Sequence, residues 1–433
     1  MSVSLDTAKT TKARGEGRDL WPGPRWALLL LLTAGILAIL SAVRLLTDSQ
    51  ALTSSGTAAA ALRLAVPIGL AGLGGLYSER TGIVNIGLEG MMILGTWFGG
   101  WAGFEFGVWW GVAFGILGGA LGGLLHAVAT VTFGVDHIVS GVAINILAGG
   151  VTRFLSVVVL TDLPGGGATQ SPNVTGDIGS FTFPVLAGGN LFGWESPDAL
   201  GALERSGLFF LADAAGLLRG ALAGLSWLTV IALALVPLTW WFLWRTPLGL
   251  RMRSVGENPY AAESLGVRVY TMKYIGVTIS GALAGLGGVF LVVESAGIYK
   301  EGQTAGRGFI GLAAMIFGNW RPMGTAAGAG VFGFADALQL RSSDAVHGLL
   351  LFIAILALLG VFVFLMRRRL TPAGVMAVMG GAFLIWFLQT DTVPNEFIAM
   401  TPYVVTLLVL AFATQHLRMP AADGLRYRKG EAG

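Results

Sequence analysis

The stretch "SERTGIVNIGLEGMM", residues 78–92, places side chains that can bind solutes or exchange protons in a very apolar neighbourhood. Glu79, Arg80, Asn85 and Glu89 interrupt what would otherwise be two good membrane spans, and three glycines loosen the same backbone. Carboxylates within a helical bundle are rare and face its interior or a water-filled path. Asn85 and Glu89, which lie deeper, are therefore predicted to have a structural or substrate-pathway role inside the bundle.

The pair Glu79 and Arg80 and one further polar residue, Asn145, accompany them. Glu79 and Arg80 lie just past the end of an apolar run, which predicts a surface ion pair. Asn145 stands midway through the apolar run 138–160 and is a second candidate polar contact, either between helices or with a substrate on its path.

The chemistry that these residues do not support is equally informative. The four histidines are scattered and form no metal-binding pattern, and no Gly-x-Ser-x-Gly nucleophile motif is present. None of the five lysines lies in a phosphate-binding glycine loop, and the chain has no cysteine for disulfides or thiolate ligands. We therefore predict no catalytic residue, no metal and no cofactor in this chain, and no ATPase site of its own.

Composition defines the elements that must position these side chains. Of 433 residues, 54% are hydrophobic and only 12% are charged, with a mean hydropathy of +0.74. Soluble domains carry about 25% charged residues. Several apolar runs approach the ~20 residues with which a helix crosses a bilayer, and they lack the alternation of barrel strands. The sequence therefore predicts an all-α polytopic membrane protein.

We expect about 10–12 transmembrane segments. The region 308–340 is broken at "GNWRPMG" and is predicted to form a re-entrant hairpin or two tilted half-spans. Lysine and arginine concentrate before residue 26, in 245–273 and after residue 417, whereas 161–206 holds one arginine. The positive-inside rule then predicts that both termini are cytoplasmic and that 161–206 is extracellular.

One internal repeat is visible. "AGLGG" occurs at 71–75 and again at 284–288, and each copy is followed by a polar break and a related run, "IGLEGMMILG" or "IGLAAMIFG". The predicted topology gives the two copies opposite directions, which is the pattern of an inverted repeat with a solute site at broken helices. Glycines at 107, 111, 115, 119 and 123 recur every fourth residue and predict close helix packing.

The basic loop "RTPLGLRMRSVGENPYAAESLGVRVYTMKY" contains a predicted short amphipathic helix that begins near Pro259 and ends at Gly266. Such a helix can dock into a groove on a partner protein. The alternative is an ordinary basic connector, and the residues alone do not separate the two.

Four ordered motifs resemble one protein family: "SERTGIVNIGLEGMM", "RSVGENPYAAESLGV" with "SGALAGLGGVF", "GFIGLAAMIFG" and "TPYVVTLLVLA". They are similar to the permease subunits of bacterial ABC importers of the branched-chain amino acid, ribose and nucleoside type. The first motif most resembles the nucleoside (purine and uridine) branch. The resemblance covers roughly 57–345 and 394–429.

The resemblance implies the parts that this chain lacks. A separate cytoplasmic ATPase would hydrolyse ATP, an extracellular substrate-binding lipoprotein would deliver the solute, and a second, identical or paralogous permease would complete the path. The chain would lie in the bacterial plasma membrane, without a nucleic-acid partner. The loop that couples it to the ATPase would comprise Gly256, Glu257, Asn258, Ala261, Ala262 and Gly266.

The chain also departs from the family pattern in its added segments. The helix at 26–46 looks like an addition and the hairpin 347–390 like an insertion. The predicted organisation is a cytoplasmic tail (1–25), the added helix (26–46), a permease core (57–345, including the extracellular loop 161–223 and the coupling loop 245–273), the inserted hairpin (347–390), the final core helix (394–416) and a basic cytoplasmic tail (417–433).

We therefore expect a permease of an ABC importer, most consistent with nucleosides, with simple sugars or branched-chain amino acids as alternatives. The rival from another class is an ATP-independent secondary transporter, which is also built from inverted repeats and broken helices. That rival should need no ATPase and should tolerate disruption of the loop at 256–266.

Overall fold

A computed structural model describes residues 25–191, 193–340, 343–390, 393–394 and 417–430. The helices are α1 (Arg25–Thr47), α2 (Ser55–Glu79), α3 (Leu88–Phe106), α4 (Val108–Ala127), α5 (His137–Leu155), α6 (Ala199–Arg205), α7 (Leu211–Leu222), α8 (Trp227–Arg245), α9 (Pro247–Glu257), α10 (Pro259–Ser264), α11 (Val269–Phe290), α12 (Arg307–Phe317), α13 (Pro322–Gln339), α14 (Ser343–Met366) and α15 (Leu370–Gln389).

Strands are confined to two small ribbons in the long connection between α5 and α8. They are β1 (Ser180–Phe181), β2 (Asn190–Leu191), β3 (Trp194–Glu195) and β4 (Leu225–Ser226), where β1 pairs with β4 and β2 with β3, both antiparallel. Eight described helices are long and apolar enough to cross a membrane. The prediction of an all-α polytopic membrane protein is confirmed.

The bundle has two ends, which we name by the segments they carry. The tail end carries the end of α2, the helices α9 and α10, and residues 417–430. The loop end carries the connection 161–226 and the start of α2. Residues 395–416 of the predicted final helix at 394–416, and the tail before residue 25, lie outside the described residues.

The core is built around α2 and α11, the two helices that begin the predicted repeat. Gly74 lies against the carbonyl of Ser280, whereas Gly287 lies against Pro67, so the two helices pack antiparallel. Each is followed by a non-helical break and then by a further helix, α3 or α12. This arrangement agrees with the inverted repeat predicted from the two "AGLGG" copies.

A seam of glycines lets α3, α4 and α11 approach closely. A Cβ atom added at Gly119 would meet Gly281 and Gly285, and one added at Gly95 would meet Gly285, each well inside 3.0 Å. Small residues at such crossings allow backbone contact between membrane helices. The four-residue glycine spacing in α4 therefore has the packing role that the sequence predicts.

The break in 308–340 separates a short helix from a long one. α12 has only 11 residues and ends beside Gly318, and α13 returns from Pro322 in the opposite direction. Asn319 and Trp320 in the connecting turn adopt left-handed conformations, with φ of 53° and 52°. The element thus enters from the loop end and returns to it, as the parity of the predicted spans requires.

The added helix α1 is anchored at the loop end by a buried ion pair. The Nε of Arg44 lies 2.9 Å from Oδ1 of Asp213 on α7, and both side chains are almost fully buried. Thr53, just before α2, also donates a hydrogen bond to Asp213. The connection between α5 and α8 is therefore fastened to both α1 and α2.

Candidate functional site: the α2–α3 break and the loop that faces it

The chain between α2 and α3 leaves the helix in a tight turn. The hydroxyl of Thr81 donates to the carbonyl of Ser78 at 2.7 Å, and the hydroxyl of Ser78 donates to the carbonyl of Ile83 at 2.6 Å. Gly82 has a φ of +80°, a conformation that side chains disfavour. The motif "SERTG" therefore ends α2, and α3 begins only at Leu88.

Asn85 is fully buried at the centre of this break. Its amide nitrogen donates to the Ser280 hydroxyl on α11 at 2.9 Å, and its oxygen accepts from the backbone of Gly87 at 3.0 Å. One side chain thus supports the local turn and joins it to α11. A buried amide with these bonds is satisfied, as buried polar groups generally are.

Glu89 holds the start of the short helix α12. Its two carboxylate oxygens accept hydrogen bonds from the backbone of Gly306 at 2.9 Å and of Gly308 at 2.7 Å. The first backbone N–H groups of a helix lack partners within the helix, and a negative charge there is favourable. Glu89 therefore caps α12 across the bundle.

Asn145 on α5 holds the same break from the other side. Its oxygen accepts from the backbone of Gly90 at 2.7 Å, and its nitrogen donates to the carbonyl of Ile86 at 3.1 Å. The structure thus brings Asn85, Glu89 and Asn145 together around one non-helical segment. Their assignment to a substrate pathway stays a prediction.

The predicted surface ion pair between Glu79 and Arg80 is wrong. Both side chains are buried or nearly so, because Trp320 and residues 417–430 cover this end of α2. Glu79 accepts a hydrogen bond from the indole of Trp320 at 2.5 Å. Arg80 donates a hydrogen bond to the carbonyl of Trp320 at 2.6 Å, and its Nη1 lies 3.8 Å from Oε1 of Glu257.

The loop after α8 forms two consecutive helices with clear capping residues. Thr246 accepts from Gly249 at the start of α9, and Asn258 accepts from Ala261 at 3.0 Å at the start of α10, which begins with Pro259. Gly266 follows α10 with a φ of +81°. The predicted helix from Pro259 to Gly266 is present, preceded by α9.

The six residues predicted to couple to an ATPase divide into a buried and an exposed set. Gly256 packs its backbone against Arg80 and Gly82, and Ala262 is buried. Glu257, Asn258, Ala261 and Gly266 are exposed. Leu265 beside them is 85% exposed, the most exposed of the large apolar side chains described. Their coupling role stays a prediction.

Residues 417–430, which we call the strap, cross the tail end and contact every element of this site. The backbone of Ala422 donates to the carbonyl of Gly256 at 2.9 Å, and that of Arg418 donates to Asn319 at 2.7 Å. Tyr427 packs between Tyr260 on α10 and Tyr270 on α11. The strap thereby ties the α9–α10 loop to the α2–α3 break.

Asp423 of the strap is buried next to Glu79. Burial raises the pKa of Asp423 to about 7, against the opposing effects of Lys273 and Arg80. At neutral pH this carboxyl therefore binds a proton in part of the molecules, which lets it lie beside a second acid.

Sequence reasoning missed Trp320, the strap and the pair formed by Arg44 and Asp213. Arg44 and Asp213 carried a usable signal, since each is an isolated charge in an apolar segment. The strap carried none, because its partners lie about one hundred residues or more away in the sequence. Within the described residues, no three histidine, aspartate or glutamate side chains gather as a metal site.

Comparison with known proteins identifies the family of this chain. Residues 57–359 match the family model described as "Branched-chain amino acid transport system / permease component". The chain is 33% identical over 379 residues to the guanosine ABC transporter permease protein NupQ of Bacillus subtilis, covering 86% of this chain and 96% of that protein.

Other relatives extend the likeness. The nucleoside ABC transporter permease protein NupC of Lactococcus lactis is 33% identical over 84% of this chain and 94% of its own length. The putative glucose ABC transporter permease protein TsgC13 of Haloferax volcanii is 34% identical over 67% of this chain and 79% of its own. No solved structure matches the chain. The family model and these relatives match most of the chain. The chain therefore belongs to the ABC-transporter permease family of the branched-chain amino acid type.

Proposed function

We propose that this permease imports nucleosides across the plasma membrane. The observation that supports the substrate class is the likeness to two permeases named for guanosine and for nucleosides, each matched over more than nine-tenths of its length. A glucose permease among the relatives keeps simple sugars as the second candidate. Branched-chain amino acids, which the family description names, rank behind both.

The energy for transport comes, in this proposal, from ATP hydrolysed by a separate subunit. The α9–α10 loop supports it, because this loop presents exposed Ala261 and Leu265 while its other face is bound by the strap and by Arg80. An exposed apolar side chain on a rigid helical loop suits insertion into a groove on a partner. Motion of that partner would reach the α2–α3 break through the contact of Gly256 with Arg80.

The orientation follows from the same surface. The tail end carries the arginines of α9 and the strap, so the positive-inside rule assigns it to the cytoplasm, with both termini. The loop end then faces outside, where a substrate-binding lipoprotein would deliver the solute. A second permease, identical or paralogous, would complete the path, and Asn85, Glu89 and Asn145 would hold the broken segments beside it.

The test of the substrate is uptake of labelled guanosine, ribose and leucine by cells with and without this gene. Loss of guanosine uptake alone is the expected result. Unchanged guanosine uptake with a loss of ribose or leucine uptake would overturn the nucleoside assignment. It would leave the family assignment in place.

The test of coupling is the substitution Leu265→Asp on the α9–α10 loop. A charge at an exposed apolar contact should prevent the ATPase from copurifying and should abolish uptake, while the amount of folded permease stays normal. Leu208→Asp is the matched control, since Leu208 is also exposed but lies at the loop end. Full uptake by the Leu265 variant would contradict the coupling role and favour an ATP-independent transporter.

A further inference from the structure

A polar cavity of about 410 Å³ lies at the loop end, between the first half of α2, the start of α4 and the turn that follows α11. Its volume is within the range of cavities that bind small molecules. Its lining comprises Arg63, Glu294, Asp177 and Ser180 as polar side chains, the apolar side chains of Val108, Val174, Ile178 and Val293, and Ser226 with a group of glycines.

The charged pair in this cavity has unused hydrogen-bonding capacity. Nε of Arg63 lies 3.8 Å from Oε1 of Glu294, which is too far for a hydrogen bond. The Glu294 side chain is only 16% exposed, and no described residue donates a hydrogen bond to it. A half-exposed guanidinium and a largely buried carboxylate thus line the same cavity, close enough for a ligand to contact both.

The backbone at Glu294 departs from the regular helix. Residues Leu291–Ala296 form a π-helical turn that ends at Gly297, whose φ is +69°. Single π-helical turns occur frequently at functional sites. An ionisable residue within a membrane-spanning segment also indicates a function by default. Of the three π-helical turns in the described residues, this one alone contains an ionisable side chain, and that side chain lines the cavity.

The walls of the cavity are held by backbone hydrogen bonds. Val174 donates to the carbonyl of Gly297 at 2.8 Å, and Val108 donates to that of Thr175 at 2.9 Å. On the opposite side, Ser180 pairs with Ser226 between β1 and β4. Backbone hydrogen bonds thus join the segments that form the walls of the cavity on both sides.

We propose that this cavity is an entry site that binds the ribose hydroxyls of the incoming nucleoside. The inference rests on the proposed function and names a site for it. Each hydroxyl of a vicinal diol donates one hydrogen bond and accepts others, so it can bond to Glu294 and Arg63 at once. A neutral ligand lets these two charges stay paired, and the valine side chains offer an apolar surface to the base.

Free sugars carry the same hydroxyl groups, so the experiment must distinguish nucleosides from sugars. The ligands are labelled guanosine, 2′,3′-dideoxyguanosine, ribose and leucine, each taken up by cells that express the wild type or Glu294→Gln. The binding protein and the ATPase are the same in every arm. Only a change that depends on both the permease residue and the ribose hydroxyls therefore reports on this cavity.

The expected result is a rise in the guanosine KM of about tenfold or more in Glu294→Gln and in Arg63→Gln, as for the loss of a hydrogen bond to a charged group. Uptake of 2′,3′-dideoxyguanosine should change less than about twofold, because this analogue lacks the hydroxyls that Glu294 and Arg63 would bind. Arg153→Gln is the matched control, since Arg153 pairs with Glu301 at the same end and lies outside the cavity lining.

Two outcomes would overturn the proposal, and a third would separate it from the proposed function. An equal change for guanosine and its dideoxy analogue would show that Glu294 does not contact the hydroxyls. A selective change for leucine would assign the cavity to a zwitterion. A wild type that takes up ribose and not guanosine would refute the proposed function, yet a ribose defect in Glu294→Gln would still identify the cavity as a hydroxyl site.

Discussion

Replacing Glu89 tests the contact that holds the broken helix α12 in place. In Glu89→Leu, the backbone N–H groups of Gly306, which is partly buried, and of Gly308, which is buried, lose their acceptors at 2.9 and 2.7 Å. Hydrogen bonds to a charged group contribute about 1.5–3 kcal/mol each. Two of them, with the favourable charge at the helix start, predict a loss of about 3–5 kcal/mol of folding free energy.

Glu89→Gln is the graded comparison. A glutamine oxygen can accept one of the two hydrogen bonds but brings no charge, so we expect a loss of about 1–2 kcal/mol. The assay is thermal unfolding of the purified permease in detergent, together with the amount of folded protein in the membrane. A shift of about 5–10 °C is expected for leucine and a much smaller one for glutamine.

The ratio of uptake to folded protein decides between two accounts of this residue. If Glu89 acts by capping α12, uptake and folded protein should fall together in Glu89→Leu. A fully stable Glu89→Leu permease that has lost uptake would refute the capping argument. That result would favour the sequence-based prediction that Glu89 lies on the substrate path.

Three further predictions follow from packing and charge. Gly285→Ala should lower the yield of folded protein sharply, because the new Cβ would overlap the α4 backbone. Gly149→Ala should be neutral, since nothing lies within 4 Å of its Cβ. Fluorescence-detected gel filtration measures the yield of both variants. Arg44→Met should destabilise the fold by about 3–5 kcal/mol by leaving the Asp213 charge buried alone, so a thermal midpoint like that of the wild type would contradict it. Because the pKa of Asp423 is raised to about 7, strap docking should be strongest at acidic pH and weaken as pH rises through 7; protease release of the tail should therefore be faster at high pH, and Asp423→Asn should remove the dependence.

The spans and the caps could be predicted from sequence because they depend on local signals. Apolar length predicts α1, α4, α11 and their neighbours, and a proline at one end with a glycine after the other predicts α10. The break in 308–340 was visible as a run of polar and glycine residues. These features need no knowledge of what lies beside them.

Contacts between distant segments could not be predicted in this way. Glu79 and Arg80 read as surface residues because they follow an apolar run, yet Trp320 and Asp423 cover them from elsewhere in the chain. Likewise, the glycines of α4 indicate close packing without saying that α3 and α11 are the partners. The polar groups of the α2–α3 break needed the fold before their partners could be named.

We propose that this chain transports nucleosides and that an ATPase docked at the α9–α10 loop supplies the energy. The most direct measurement is the initial rate of labelled guanosine uptake in cells that lack the gene, complemented with the wild type or with Leu265→Asp. The account predicts that the wild type restores uptake and that the variant, at equal membrane abundance, does not. Equal uptake with and without the wild-type gene, or full uptake with the variant, would contradict it.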